Sequence, residues 1–145
     1  MDHAPILLIH ALATLAMTGL IWFVQLVHYP LMARVGADHF RRYEHEHTRR
    51  TTRIVAPLMF AELGSAGWIL AAGAAPRGLA VAGVLLLAAI WGSTFLVQVP
   101  LHARLGRGFD ARAHARLVTT NWARTAMWSA RAAVALGMIA SAPGS

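Results

Sequence analysis

Apolar residues fill four long runs of this chain, roughly 5–29, 54–74, 78–101 and 117–141, and the segments between them are polar. Each run reaches the ~20 residues that a helix needs to cross a bilayer core. The first run is too long for a cleaved signal segment and has no basic stretch or small-residue cleavage site, so it reads as a retained span. Ala74-Ala75-Pro76-Arg77-Gly78 reads as a tight turn between the second and third runs, punctuated by Pro76 and Gly78. From His39 to Thr52 there is neither Gly nor Pro, so the polar connections read as helical extensions of the spans. The predicted fold is all-α: an integral-membrane four-helix bundle with long cytoplasmic helix extensions, forming a single domain over residues 1–145.

Charge then orients the bundle. Arginines 34, 41, 42, 49, 50 and 53 fill the first connection and arginines 104, 107, 112 and 116 the third, whereas the opposite side carries only Arg77. Basic connections stay in the cytoplasm, which places both termini outside a multi-pass protein. The Ala- and Arg-rich, Lys-free composition is that of a GC-rich bacterial genome, and so of an inner membrane. These arginine blocks are explained by topology, so nucleic acid is not an expected partner. The lipid bilayer and a small molecule are, and a homo-oligomer stays open.

The chain also repeats itself. Pro30-Leu31-Met32-Ala33-Arg34-Val35-Gly36 matches Pro100-Leu101-His102-Ala103-Arg104-Leu105-Gly106 as P-L-x-A-R-x-G. Both copies close the first helix of a hairpin. A duplicated hairpin, with halves 1–75 and 76–145, predicts a pseudo-two-fold axis along the membrane normal.

Each helix carries one polar stripe. Helical positions about 18 apart return to one face, which pairs His10 with His28 and Glu44 with Glu62. Trp91, Thr94, Gln98 and His102 line one side of the third run. On the fourth run His114, Asn121 and Trp128 fall two turns apart, with Arg124 and Arg131 beside them. Lipid does not accept such stripes, so they are expected to converge inside the bundle.

Composition limits the chemistry there. The chain is 57% hydrophobic and 13% charged, and it has no cysteine. Disulfides, thiolate metal sites and cysteine nucleophiles are thereby excluded, and no nucleotide-binding loop, zinc-finger spacing or Ser-His-Asp order is present. Glu44-x-x-His47 has the spacing of carboxylate–imidazole ligand pairs in metal-binding helix bundles. With His28 and His102, at near-equivalent ends of the two hairpins, it gives a candidate metal set: His28, Glu44, His47 and His102. Imidazole suits Fe, Cu and Zn, and carboxylate suits Mn. The competing reading is a solvated helix start in which the acids pair with Arg49 and Arg50. Glu62, Asn121, Arg124 and Arg131 form a second, catalytic candidate set, against the alternative of a buried ion pair that fixes helix register.

His10 early in the first span, Gly19, Trp22, Tyr29-Pro30-Leu31, Phe40, Tyr43-Glu44 and Pro57 together resemble the HemJ-type protoporphyrinogen oxidases and the wider CopD-like membrane families. The resemblance covers roughly residues 1–65. It implies a short four-span protein in which His10 would be the position that binds haem b. The second half, with Asn121-Trp122-Ala123-Arg124-Thr125 and Arg131, departs from the families' later motifs. Three functions follow as expectations. The first is a membrane oxidoreductase that holds a transition metal or haem by bundle histidines and acts on a small lipophilic or anionic substrate. The second is an anion or proton-coupled transporter or binding protein. The third is a cofactor-free acid–base membrane enzyme.

Overall fold

The computed structural model describes residues 3–141. Four long helices account for nearly all of them: α1 (Ala4–Met32), α2 (Ala37–Ala72), α3 (Arg77–Leu105) and α4 (Ala111–Ala140). α1 packs against α2 and α4, and α3 packs against α4 and, more thinly, α2. The result is a four-helix bundle in which α1 and α3, and α2 and α4, stand on the diagonals.

α1, α2 and α3 are each long and apolar enough to cross a membrane. α4, expected as a fourth span, is long enough at 30 residues but is not among them by composition. Its buried face carries Asn121, Arg124 and Arg131, which lower its mean hydropathy. α2 has 36 residues, about 54 Å of helix. Its apolar stretch uses only the second half, and the polar first half extends the bundle at the basic end.

The helix ends follow local chemistry. α2 stops at Gly73, whose φ of 63° supplies the left-handed cap that lets Ala74 N–H return to the Ile69 carbonyl at 3.1 Å. Pro76, not Gly78, then sets the turn by capping α3, and Gly78 lies inside that helix. Asp110 caps α4: its carboxylate accepts from Ala113 N–H at 2.9 Å and pairs with Arg104 at 2.6 Å.

Both α1 and α3 contain one π-helical turn, Val24–His28 and Thr94–Gln98. Each ends two residues before the proline of the repeat. Proline lacks the N–H for the i−4 carbonyl and its ring crowds that carbonyl. A turn bonded i to i+5, Tyr29 N–H to the Val24 carbonyl and Val99 N–H to that of Thr94, relieves both problems by inserting one residue. α2 and α4 also correspond, at a spacing of 69 residues. Glu44 and Ala113, Met59 and Trp128, Glu62 and Arg131, Ala66 and Ala135, and Ile69 and Met138 are all buried.

The core forms three layers. Tyr29, Met32, Phe40, Leu105, Ala113 and Leu117 pack at the basic end. Met17, Ile21, Met59, Ile90 and Trp128 fill the middle, and Leu7, Ile69, Ala74, Ala80 and Met138 close the far end. Leu8, Leu12, Phe23, Phe60, Leu85, Phe95 and Leu96 are among the large apolar side chains that face outward. An exposed apolar surface of this kind marks contact with lipid or protein.

Candidate functional site

Between the middle and basic-end layers lies a cavity of about 760 Å³. Its floor is apolar, made by Met17, Leu20, Ile21, Val24, Val55 and Val99, and its polar wall holds Tyr29, Glu44, His47, Gln98, His102 and Arg124. Volumes of roughly 300–1,000 Å³ suit small organic ligands.

All four helices contribute to the polar wall. Glu44 comes from the polar half of α2 and is 1% exposed, so its carboxylate needs a partner. His102 Nδ1, from α3, lies 2.6 Å from Glu44 Oε1. On its other side His102 Nε2 lies 3.1 Å from the Tyr29 hydroxyl of α1. The two contacts determine each other's sense. An N–H at Nδ1 donates to the carboxylate, which leaves Nε2 as the acceptor for the Tyr29 O–H. His114 Nε2 donates to the Tyr29 carbonyl at 2.8 Å and steadies that turn.

A second cluster adjoins the first. The His28 and His47 rings stack with centroids 4.1 Å apart, and Tyr43 O–H lies 3.4 Å from His28 Nε2. His47 precedes the apolar stretch of α2. Burial, then the neighbouring His28 and His102, push its pKa down to about 3, so it is neutral at pH 7. Glu46 faces away and pairs with Arg49 and Arg50 at 2.8 and 3.0 Å, the solvated helix-start arrangement.

At the inner end of the cavity stands Arg124 of α4, 7% exposed. Its Nη1 donates to Asn121 Oδ1 at 3.2 Å, and Asn121 in turn donates to Gln25 Oε1 at 2.8 Å. The Arg124 Nε has no partner, and neither does Gln98 Oε1, whose Nε2 donates to the Thr120 hydroxyl at 3.3 Å.

The predicted site residues are therefore regrouped. His28, Glu44, His47 and His102 do meet at one end. Among the described residues, however, no group of three or more His, Asp or Glu is placed to hold a metal ion. Glu44 and His102 direct their ligating atoms at each other, and the stacked His28 and His47 place ring nitrogens by the hydroxyls of Tyr43 and Thr51 at 3.4 and 3.2 Å. The second set divides. Glu62 and Arg131 pair at 3.2 Å away from the cavity, with Thr14 O–H donating to Glu62 at 2.7 Å and Arg131 donating to the Gly83 carbonyl. Asn121 and Arg124 belong to the cavity region instead.

His10 is 2% exposed, its Nδ1 lies 2.8 Å from Ser65 Oγ, and it does not line the cavity. A porphyrin needs an open face beside its axial ligand, and the packing around His10 leaves none. As placed among the described residues, the side chains form no metal-ligating group of three, and His10 stands apart from the cavity.

Tyr29, Gln25 and Gln98 were missed as site residues. The repeat marks the place of Tyr29 beside Pro30, but its inward orientation depends on the π turn. Comparison with protein-family models, with curated proteins and with solved structures finds no match to this chain.

Proposed function

We propose that this chain is an integral protein of a bacterial inner membrane, with both termini outside, and that its cavity is the site of a cofactor-independent acid–base reaction on a small, largely apolar molecule. The single observation that carries the reading is the relay Glu44–His102–Tyr29, bonded at 2.6 and 3.1 Å along one wall of the cavity. The apolar surface of α1, α2 and α3 supports the membrane reading, and the arginine-rich connections support the orientation.

The chemistry follows from the hydrogen-bond senses. When a substrate C–H or O–H gives its proton to the Tyr29 oxygen, the Tyr29 proton passes to His102 Nε2. The resulting imidazolium is held by the Glu44 carboxylate. Reversal of the same steps returns a proton to the substrate, at the same or a neighbouring atom, so atoms and charge balance without an external reagent. The apolar floor keeps bulk water from competing and makes each polar contact stronger.

The test is deuterium wash-in. Protein in lipid nanodiscs in D₂O is supplied with 2-tetralone, an apolar ketone with acidic C–H bonds, and exchange is followed by mass spectrometry. The reading expects exchange above that of empty nanodiscs, and a loss of ~10²-fold or more in Glu44→Gln and His102→Ala. Exchange that is equal in wild type and both variants would reject the relay.

A further inference from the structure

We infer that the cavity's ligand is a small apolar monoanion, a carboxylate or an enolate-type oxyanion, whose charged oxygen sits on Arg124. The inference deepens the reading of the cavity as a substrate site and rests on that reading, but it does not rest on the Glu44–His102 relay.

The argument starts from unmatched donors. Arg124 is buried, lines the cavity and has no carboxylate among its hydrogen-bond partners; its side chain donates to the neutral Asn121. The other buried guanidinium, Arg131, has Glu62. A buried cation without a counter-charge is costly, and a guanidinium lining a cavity is a strong hydrogen-bond donor to an oxyanion. Asn121 cannot neutralise it, because its own amide is oriented by Gln25.

The acids of the cavity do not fill the role. Glu44 is engaged by His102, and its remaining oxygen, Oε2, is buried without a partner. The Arg124 guanidinium therefore has no carboxylate in hydrogen-bond contact, and it stands next to an apolar floor. Gln98, 2% exposed, is held by donating to the Thr120 hydroxyl at 3.3 Å, one turn before Arg124 on α4. Arg41 and Arg107 also line the cavity but are exposed and solvated, so the one buried guanidinium fits a single oxyanion carried on an apolar body. The volume limits the size to a few fused rings or a short chain. An oxyanion held at Arg124 is also the charge that a proton-abstraction step develops on a carbonyl oxygen, so the ligand class and the relay fit one substrate.

The test compares 2-naphthoate with its neutral isostere, methyl 2-naphthoate, by titration calorimetry at pH 7. The protein is held in phosphatidylcholine nanodiscs, and empty nanodiscs are subtracted. We expect one naphthoate per chain, with the acid at least ~10-fold tighter than the ester. Arg124→Met is expected to abolish that preference and Arg124→Lys to keep part of it. Because the acid–ester contrast is read in the wild type, the inference stays testable even where the Arg124 variants do not fold. Equal binding of acid and ester, or full acid preference in a folded Arg124→Met protein, overturns it. Displacement of naphthoate by phosphatidylglycerol in the nanodisc also overturns it and assigns the site to a lipid headgroup. Acid binding that persists when Glu44→Gln and wild type show no deuterium exchange upholds the ligand class while rejecting the relay.

Discussion

Glu62 and Arg131 stand 69 residues apart, on α2 and α4, and form an ion pair at 3.2 Å whose side chains are 0% and 1% exposed. Corresponding positions of the two halves thus carry opposite charges that meet across the bundle diagonal. Removing one partner leaves the other as an uncompensated buried charge. Glu62→Leu or Arg131→Met alone is expected to cost ~3–5 kcal/mol, whereas the double variant is expected to cost far less than the sum. Thermal unfolding of the four proteins in one detergent measures the coupling. Strictly additive losses would show that the contact carries no energy. Neither residue lines the cavity, so naphthoate binding by any folded member of the cycle is expected to match wild type.

The relay makes a spectroscopic prediction. With ¹⁵N-labelled histidine, His102 is expected to show a protonated Nδ1 and an acceptor Nε2 at neutral pH, with a strongly downfield Nδ1 proton from the 2.6 Å contact. Glu44→Gln replaces a charged acceptor by a neutral one and should move that proton upfield. Tyr29→Phe should alter the Nε2 shift and leave Nδ1 nearly unchanged. A tautomer with its proton on Nε2 in the wild type would reverse the relay's direction and contradict the proposed transfer.

How far the sequence reveals this arrangement depends on the π turns. Four helices, their polar connections and the P-L-x-A-R-x-G repeat are readable from periodicity and proline positions. Faces are readable only as far as the helix stays α. Along α1 the buried positions run His10, Thr14, Met17, Ile21, Gln25 and then Tyr29, because the Val24–His28 turn inserts one residue. A constant ~100° per residue puts His28 where Tyr29 stands, so the phenol of the relay escapes notice and His28 is overrated as a ligand. Partner choice was equally hidden. Both Arg124 and Arg131 lie within reach of Glu62 on a one-dimensional reading, and only packing decides that Arg131 takes it. That His28, Glu44, His47 and His102 form no metal-ligating group among the described residues likewise depends on side-chain placement, which spacing does not encode.

Acid should loosen the basic end. His47 lies before the apolar stretch of α2, and its pKa falls from 6.5 to about 3 through burial beside His28 and His102. A histidine depressed on folding stabilises the native state above pH 6.5. That contribution is lost as pH falls toward 3, because the unfolded state takes up the proton first. Melting temperature is therefore expected to drop between pH 7.5 and pH 5. His47→Gln, which cannot charge, should show a shallower drop. An equally steep drop in His47→Gln would place the acid-sensitive group elsewhere, with His28, Tyr43, Glu44 and His102 as the neighbours to examine.

The orientation yields to chemical labelling, because the chain has no cysteine of its own. Arg77 is the first residue of α3, after the turn from α2, and Arg107 lies in the turn between α3 and α4. Both are exposed, so Arg77→Cys and Arg107→Cys should disturb packing little. In intact cells a membrane-impermeant maleimide is expected to label the cysteine at 77, and to reach the one at 107 only after the inner membrane is opened. The reverse pattern would place the arginine-rich connections outside, against the charge rule that orients the bundle. Labelling of both in intact cells would mean that α3 does not cross. Because the cavity adjoins the turn that holds Arg107, the same experiment decides from which side of the membrane a ligand reaches Arg124. Protection of the cysteine at 107 by 2-naphthoate in opened cells would link that turn to the occupied cavity.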